Sequence, residues 1–302
     1  MINYLIMVLS DEFYDILAQE DEDPKAYNKA AELVLKAPVS KESTGLLAMM
    51  YYDGIGVEQD LEKAFEYAES AAKENEGTAL YILGHMCENA ETPDQEHGGQ
   101  RQKYDYYDAE SFMERCSKTD SRWAAAAHLW LGNHYMDMAK GGDPEVAVEH
   151  YEAIGEDVPE AAGKLSDYYY DQWFVDMVIP EEYRTKDLAD KIFHWTQVAA
   201  NFNPHDYSYR MGCVYAEGIG CDADKGFRLA RKYWEDAYGF GDWRAAESIA
   251  NLYEDRLENL PPDTPEARKE NIIKHIKSWR ELAQRERERQ WAEEPDPSID
   301  ED

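Results

Sequence analysis

The chain holds few side chains in a spacing that could perform chemistry. Ser70 and Lys73 stand in the S-x-x-K spacing of the serine enzymes that act on β-lactams. Those enzymes also need an S-D-N and a K-T-G element, and the sequence contains neither. Ser70 and Lys73 are therefore interpreted as ordinary residues near the end of a helix.

Metal ligands and reactive thiols are no better placed. His128 and His134 share a predicted helix, but a separation of six residues puts them about 240° apart around it, so they cannot both bind one metal ion. The cysteines have neither a zinc-binding spacing nor a C-x-x-C pair; they are Cys87, Cys116, Cys213 and Cys221. A G-x-G-x-x-G segment, a phosphate-binding loop and an H-E-x-x-H segment are also missing from the sequence. We therefore expect a protein without catalytic activity, metal ion or cofactor.

The balance of charges excludes further classes of function. The 302 residues include 64 Asp and Glu and 31 Lys and Arg, a formal net charge of −33. Nucleic acids and anionic lipids are bound through Lys and Arg, so we expect neither as a direct partner. Because 43% of the residues are hydrophobic and 22 Tyr, 8 Trp and 8 Phe are present, the composition is typical of a folded chain.

The expected location follows from segments that the sequence lacks. Residues 1–9 are apolar but have no basic residue before them, which is unlike a signal peptide. No stretch of about 18 apolar residues could span a membrane. Four cysteines are too few for a secreted disulfide framework. We expect a cytoplasmic protein.

The elements that must position the side chains come from an internal repeat. In residues 43–77 a Leu-Ala pair is followed by Tyr51 and then by Gly54 and Gly56. The first half of this pattern recurs in copies that begin at residues 43, 79, 127, 161, 207 and 245. In its second half a small residue is followed by an aromatic three residues later and a small residue four after that. One set fits this second half poorly: Ala147, His150 and Ile154.

Each copy predicts a helical hairpin. Residues spaced by four lie on one face of a helix, and glycines such as Gly54 and Gly56 supply the positive φ of a helix end and a tight turn. Asp60, or Asp224 in the fifth copy, is placed to cap the second helix. Each hairpin leaves an apolar face that the next hairpin must cover, so stacking into a superhelix follows.

The repeat resembles a known family. The matching residues of the first copy are Leu47, Tyr51, Gly54, Gly56, Val57, Asp60, Lys63, Ala64, Ala71 and Ala72, and those of the fifth are Met211, Gly212, Tyr215, Gly218 and Gly220. In these residues the chain is similar to the Sel-one-like repeat (SLR) family, which is related to the tetratricopeptide repeats. The resemblance covers about residues 43–283. It implies an all-α, right-handed superhelical solenoid of about six helix-turn-helix repeats.

The same pattern suggests how the chain is divided. We predict an atypical N-terminal helical cap over 1–40, the repeat solenoid over 41–283, and a charged helical extension with an acidic tail over 284–302. Inserts are expected at 89–103, 175–186 and 260–267. Such inserts fall in loops on one face of a solenoid, often the binding face.

Tyrosine and carboxylate dominate the positions that the first helices would present on the concave side. They are densest around Tyr107 and Tyr169, which are themselves interpreted as core. The candidate contact residues are Tyr52, Asp53, Tyr104, Asp105, Tyr106, Asp108, His134, Asp137, Asp167, Tyr168, Tyr170, Asp171, Trp173 and Glu217. Half-buried packing is the ordinary alternative for a tyrosine at helical spacing.

These surfaces favour a protein partner, and the acidity favours a basic one. Tyr and Trp anchor interfaces, and an acidic field speeds the approach of a basic molecule. The resemblance implies adaptors in signalling and immunity proteins that neutralise secreted toxins. We expect an immunity or antitoxin-like protein that binds a basic toxin or effector. The alternatives are a regulatory adaptor or scaffold for signalling, secretion or envelope maintenance, and a DNA mimic that inhibits a nucleic-acid-binding protein.

Overall fold

The structure is a computed structural model that describes residues 2–19, 23, 25–92, 104–174 and 184–293. Large parts of two predicted inserts, residues 93–103 and 175–183, lie outside the described residues. The end of the predicted acidic tail, residues 294–302, lies outside them as well.

Within these ranges the chain forms fourteen α-helices, one short 3₁₀ helix and no strand, so the all-α prediction is confirmed. The helices are α1 (Ile2–Leu17), α2 (Ala26–Lys36), α3 (Lys41–Asp53), α4 (Leu61–Ala72), α5 (Gly77–Glu88), α6 (Tyr106–Ser117), α7 (Ala124–Met136), α8 (Pro144–Glu152), α9 (Pro159–Phe174), α10 (Lys186–Phe202), α11 (Pro204–Ala216), α12 (Ala223–Gly239), α13 (Trp243–Glu258) and α14 (Glu266–Glu293). The 3₁₀ helix is Met138–Lys140. None of the described helices is long and apolar enough to cross a membrane.

The helices pack in pairs along the chain. The pairs α3 with α4, α5 with α6, α7 with α8, α9 with α10, α11 with α12 and α13 with α14 are the six predicted hairpins. The chain divides into two compact units, unit 1 (Met1–Ile154) and unit 2 (Gly155–Asp302). The division at residues 40 and 283 that the repeat pattern suggests stays a prediction.

The first complete hairpin of unit 1, α3 with α4, forms for the reasons that its sequence indicates. The side chain of Ser40 accepts a hydrogen bond from the backbone N–H of Ser43 at 3.1 Å and so caps α3. Gly54 ends the helix with φ of +72°, a left-handed conformation that other residues rarely adopt. Asp60 then caps α4 through the backbone N–H of Lys63 at 3.0 Å.

The corresponding hairpin of unit 2, α11 with α12, repeats the glycine turn but moves the cap. Gly218 and Gly220 have φ of +75° and +74°. The cap of α12 is Asp222, which accepts from the backbone N–H of Lys225 at 2.9 Å, so the prediction of Asp224 is wrong. Both aspartates suit a helix start, and only Asp222 has the extended backbone of an N-cap, with φ of −74° and ψ of 161°.

Small residues bring the helices of each hairpin close together. Gly132 on α7 lies against Tyr151 on α8, and a Cβ at residue 132 would come within 2.4 Å of the Tyr151 ring. Tyr151 is fully buried, and its hydroxyl donates to Asn133 Oδ1 at 2.7 Å. The aromatic residue of α8 therefore stands one position after His150, which explains the poor fit of that copy to the repeat pattern.

Unit 2 uses the same close approach. A Cβ at Gly212 on α11 would come within 2.3 Å of the Trp234 indole on α12. The Trp234 Nε1–H donates to the backbone carbonyl of Tyr209 at 3.0 Å, which fixes the ring against the glycine. The small residues at these positions of the repeat are fully buried: Ala64, Ala79, Ala109, Ala127, Ala147, Ala161, Ala230 and Ala245.

The two tyrosines interpreted as core differ. Tyr169 is 5% exposed and belongs to the core of unit 2. Tyr107 is 82% exposed, so its assignment to the core is wrong. Tyr107 is the second residue of α6, which begins after Asp105, and the first residue of α6 to be buried is Ala109.

Candidate functional site

One surface of unit 1 gathers aromatic rings and acidic side chains on two neighbouring first helices. On α5, Tyr81, His85 and Glu88 are spaced by four and three residues and therefore share one face. At the start of α7 and along it, Trp123, Trp130 and His134 are spaced by seven and four and share a face as well. We name these six residues the α5–α7 surface.

Ring contacts join the two helices of this surface. The rings of Tyr81 and Trp123 stack with centroids 4.4 Å apart and planes 19° apart, and Tyr81 meets His85 edge-on at 4.4 Å. The Trp123 Nε1–H donates to the Tyr14 hydroxyl at 2.9 Å, and the guanidinium of Arg122 lies 3.8 Å from the centre of the Tyr14 ring. These contacts hold the aromatic rings in fixed positions.

The C-terminal part of the surface is also built from stacked rings. Trp130 and His134 stack at 4.9 Å with planes only 9° apart. Tyr106 lies 6.2 Å from the His134 ring, so two of the predicted contact residues are brought together. His134 Nε2 is 3.9 Å from Glu110, whose carboxylate also accepts a hydrogen bond from the Tyr135 hydroxyl.

The charges around His85 are carboxylates. His85 Nδ1 is 3.4 Å from Glu88, and the carboxylates of Glu91 and Asp53 also act on the ring. Burial lowers the pKa of His85, and the three carboxylates oppose that shift. Burial raises the pKa of Asp53. The predicted residue Tyr52 donates its hydroxyl to Glu91 at 2.8 Å, and burial first, then this hydrogen bond, raises the pKa of Tyr52 to about 12.

Several predicted contact residues of unit 1 have structural partners. Asp105 caps α6 by accepting from the backbone N–H of Tyr107 at 3.0 Å, and Asp108 accepts from the backbone N–H of Asp105 at 2.8 Å. Tyr104 packs edge-on against Phe112 at 5.0 Å. Asp137 caps the 3₁₀ helix through the backbone N–H of Ala139 at 3.1 Å. Their role as contact residues stays a prediction.

In unit 2 the predicted tyrosine and aspartate cluster is covered by a cation of the chain itself. Arg210 forms an ion pair with Asp167, and its guanidinium lies 5.1 Å from the centre of the Tyr170 ring and 5.5 Å from that of Tyr207. Tyr170 also stacks on Phe174 at 4.2 Å, and burial raises its pKa well above the usual range. This cluster binds its own guanidinium.

The remaining predicted residues of unit 2 are scattered. Tyr168 meets the ring of the buried Tyr169 edge-on at 5.2 Å. The guanidinium of Arg184 lies 5.2 Å from the centre of the Trp173 ring. Asp171 is exposed on α9, and Glu217 is exposed at the end of α11.

The strongest aromatic contacts of the α5–α7 surface were missed by the sequence interpretation. Tyr81 and Trp130 could have been found, because each lies four residues before a histidine, His85 or His134, on the same helical face. Trp123 precedes α7 and carries no repeat signal. Its partner Tyr14 lies 109 positions earlier in the chain, which no local pattern indicates.

A polar cavity of about 510 Å³ opens at the N-terminal ends of α3, α5 and α7. Its charged lining consists of Asp11, Lys41, Glu42, Glu76, Asp120 and Arg122. Glu76 is buried and serves as the cap of α5, accepting from the backbone N–H of Ala79 at 2.7 Å. Charges of both signs therefore line the cavity.

Metal binding and thiol chemistry find no support in this geometry. In the part of the chain that the structure describes, no group of three His, Cys, Asp or Glu side chains could hold a metal ion. Burial raises the pKa of Cys87 and of Cys116 to about 12, so neither thiol ionises readily near neutral pH. What the α5–α7 surface can do chemically is hold a cationic group between aromatic faces and carboxylates.

Comparisons with known proteins agree with this description of the repeats. The Sel1 repeat model matches residues 43–76 and 206–238. No curated protein matches the chain. The crystal structure of a Sel1 repeat protein from Oxalobacter formigenes is 17% identical, with 90% of this chain and 96% of that one covered and a TM-score of 0.47.

A second solved structure is similar as well. It is c5321, a protective antigen present in uropathogenic Escherichia coli strains that displays an SLR fold; it is 17% identical, with 94% of this chain covered and a TM-score of 0.48. The chain spans 61% of the length of that protein.

The two matched segments coincide with the two hairpins that contain complete glycine turns, α3 with α4 and α11 with α12. Proteins with Sel1 repeats are protein-interaction modules. The chain is thus a helical repeat protein that contains two Sel1 repeats, one in each of these hairpins.

Proposed function

We propose that the chain binds a basic segment of another protein on the α5–α7 surface and acts as an immunity or antitoxin-like protein that neutralises a basic toxin or effector. The observation that carries this proposal is the pairing of fixed aromatic rings with the carboxylates of Asp53, Glu88 and Glu91, whose charged neighbour is His85 rather than a Lys or Arg. Within the described residues, no Lys or Arg lies over the rings of Tyr81, Trp123 or Trp130. Carboxylates surround His85 beside them.

The chemistry of such a surface suits a cation. A Lys or Arg side chain is attracted to the face of a Trp or Tyr ring, and Trp and Tyr are enriched among the residues that dominate binding energy. Unit 1 carries 31 Asp and Glu against 12 Lys and Arg, so a basic molecule is also drawn to it over a longer range. Toxins that cut nucleic acid have basic clefts, which an acidic protein can cover.

The test compares how two charge-reversal variants, one on the α5–α7 surface and one away from it, bind a basic partner. Glu88→Lys reverses a charge on the α5–α7 surface, and Glu270→Lys makes the same change at an exposed position of α14. We expect Glu88→Lys to weaken binding of a basic toxin about tenfold, which is about 1.4 kcal/mol, and to abolish protection in co-expression. Glu270→Lys should leave both unchanged.

Salt dependence separates the alternatives. A basic partner held on this surface should bind more weakly as NaCl rises from about 0.05 M to about 0.5 M, because the Debye length shortens. Partners that bind equally well at both concentrations and to both variants would favour an adaptor. Equal loss in the two variants, together with steep salt dependence, would favour a DNA mimic with widely spread contacts.

A further inference from the structure

Two histidines of unit 1 face each other through the same ring atom. His128 Nδ1 on α7 and His150 Nδ1 on α8 are 3.0 Å apart, and both side chains are partly buried. A hydrogen bond at that distance needs one N–H and one lone pair, because each ring nitrogen is either a donor or an acceptor. The contact therefore constrains the protons on both rings together.

Each outer end of the pair also meets a hydrogen-bond acceptor on α6. His150 Nε2 is 3.4 Å from Glu114 Oε1. The backbone carbonyl of Ser117 also acts on the His128 ring as an acceptor and raises its pKa, and Nε2 is the ring nitrogen that does not face His150. The pair thus links two acceptors of α6 through α7 and α8, by three contacts in a row.

The number of N–H groups decides which charge states fit these contacts. With one positive charge the two rings carry three N–H groups: His150 donates to Glu114 and to His128, and His128 donates to Ser117. Two neutral rings carry only two N–H groups and leave one contact unbonded. Two charged rings point an N–H group at each other across 3.0 Å, which no hydrogen bond satisfies.

We propose that the His128–His150 pair is a proton-limited clamp that carries at most one positive charge, so that a second proton breaks the Nδ1–Nδ1 contact and separates α8 from α7. The clamp is a property distinct from partner binding, because it sets a pH below which α8 separates from α7. It also reaches the α5–α7 surface, since α7 carries Trp130 and His134.

The charged groups around the pair come from all three helices. Burial is the largest influence and lowers the pKa of His128 and of His150. Glu114 on α6 and Glu149 on α8 oppose that shift at His150, and Lys118 on α6 reinforces it at both rings.

Two further contacts shape these surroundings. Lys118 Nζ lies 2.5 Å from Glu114 Oε2, which leaves Oε1 to face His150. Tyr135 on α7 lies parallel to His150, with ring centroids 5.8 Å apart and planes 1° apart.

The sign of the pH dependence follows from the protons bound in each state. In the unfolded chain both rings take up a proton below their ordinary pKa of about 6.5, whereas the folded pair takes up one. The unfolded state therefore binds one proton more, and stability present above that pH is lost as the pH falls. The unfolding equilibrium constant rises about tenfold for each pH unit, which two freely titrating histidines would not produce.

The experiment follows both rings in the full chain by nitrogen NMR with ¹⁵N-labelled histidine, between about pH 8 and pH 5. We expect the pair to take up a single proton in total while the protein stays folded. Uptake of a full proton by each ring, with the amide signals of α7 and α8 unchanged, would overturn the proposal.

A variant makes the test independent of signal overlap. In His128→Asn the amide can donate to His150 Nδ1 but cannot take up a proton. The folded variant therefore has no second ring whose protonation the contact blocks. We expect the slope of the logarithm of the unfolding equilibrium constant against pH to decrease in magnitude by about one relative to the unchanged chain. Identical slopes in the His128→Asn variant and the unchanged chain contradict the clamp. Should His128→Asn fail to fold, the NMR titration of the unchanged chain decides alone.

Discussion

The tyrosines of the two units have different partners. In unit 1 tyrosine hydroxyls donate to carboxylates: Tyr52 to Glu91, Tyr104 to Glu69 and Tyr135 to Glu110. In unit 2 the chain's own cations contact tyrosines: Arg210 lies over Tyr170 and Arg244 over Tyr209, while Lys191 donates to Tyr169 and Arg231 to Tyr253. The difference is one of degree, since Lys63 lies over Tyr51 and Arg122 over Tyr14 in unit 1.

The composition of the units has the same trend. Unit 2 carries 33 Asp and Glu against 19 Lys and Arg, compared with 31 against 12 in unit 1. Cations of unit 2 contact its own aromatic and acidic side chains: Arg210, for example, lies over the Tyr170 ring and forms an ion pair with Asp167. We therefore expect a basic partner to bind at acidic, tyrosine-rich positions where the chain does not place a Lys or Arg of its own.

The largest expected effect tests whether both units depend on close packing of a glycine against an aromatic ring of the neighbouring helix. Gly132→Val and Gly212→Val place a branched side chain against Tyr151 and Trp234, and we expect each to lower the free energy of unfolding by about 3 kcal/mol. Urea unfolding of the full chain measures this. Gly239→Ala is the control, because a Cβ there meets nothing within 4 Å, and it should change stability by less than about 1 kcal/mol. Loss of stability in only one of the two valine variants would show that the two units do not share this dependence.

The second effect converts unit 1 to the arrangement of unit 2. His85→Arg places a permanent cation among the carboxylates of Asp53, Glu88 and Glu91. We expect the affinity for an arginine-rich peptide to fall about tenfold, since the site is then occupied from within. Calorimetric titration measures it, with His205→Arg as a control of equal charge change. An unchanged affinity would place the binding of cations elsewhere.

The smallest expected effect is a rise in affinity for the peptide, opposite to the fall expected for His85→Arg. Arg210→Ala uncovers Tyr170 and leaves Asp167 without its ion pair. We expect affinity for the same peptide to rise about threefold and stability to fall by about 1 kcal/mol. Arg280→Ala is the matched control, because it removes an ion pair with Glu254 at 2.7 Å at another place in unit 2. Equal behaviour of the two variants would show that the ring contacts of Arg210 do not matter.

Local patterns predicted the hairpins well and their details less well. The glycine turns after Tyr51 and Tyr215 were predicted because positive φ is a property of single residues. The cap of α12 was not, since Asp222 and Asp224 are chemically alike and the path of the backbone decides between them. Tyr107 was misplaced because an aromatic spacing of three and four residues does not say where a helix begins.

The candidate site depended still more on distant contacts. Asp53 and His134 could be named from their positions on the first helices, and Tyr106 from the dense tyrosine and aspartate cluster around it. The stack of Tyr81 on Trp123, and the hydrogen bond from Trp123 to Tyr14, join residues of different helices that only folding brings together.

By itself the sequence determined that this protein is an acidic array of helical hairpins, because periodicity, glycine turns and charge are local or additive properties. Tertiary packing sets which of the carboxylates have a Lys or Arg of the chain beside them. Asp167 and Asp53 look alike in the sequence, yet Arg210 from a different helix pairs with the first, whereas His85 is the neighbour of the second. The physical reason is that a charge is neutralised by what lies within a few ångströms of it, and those neighbours are set by packing.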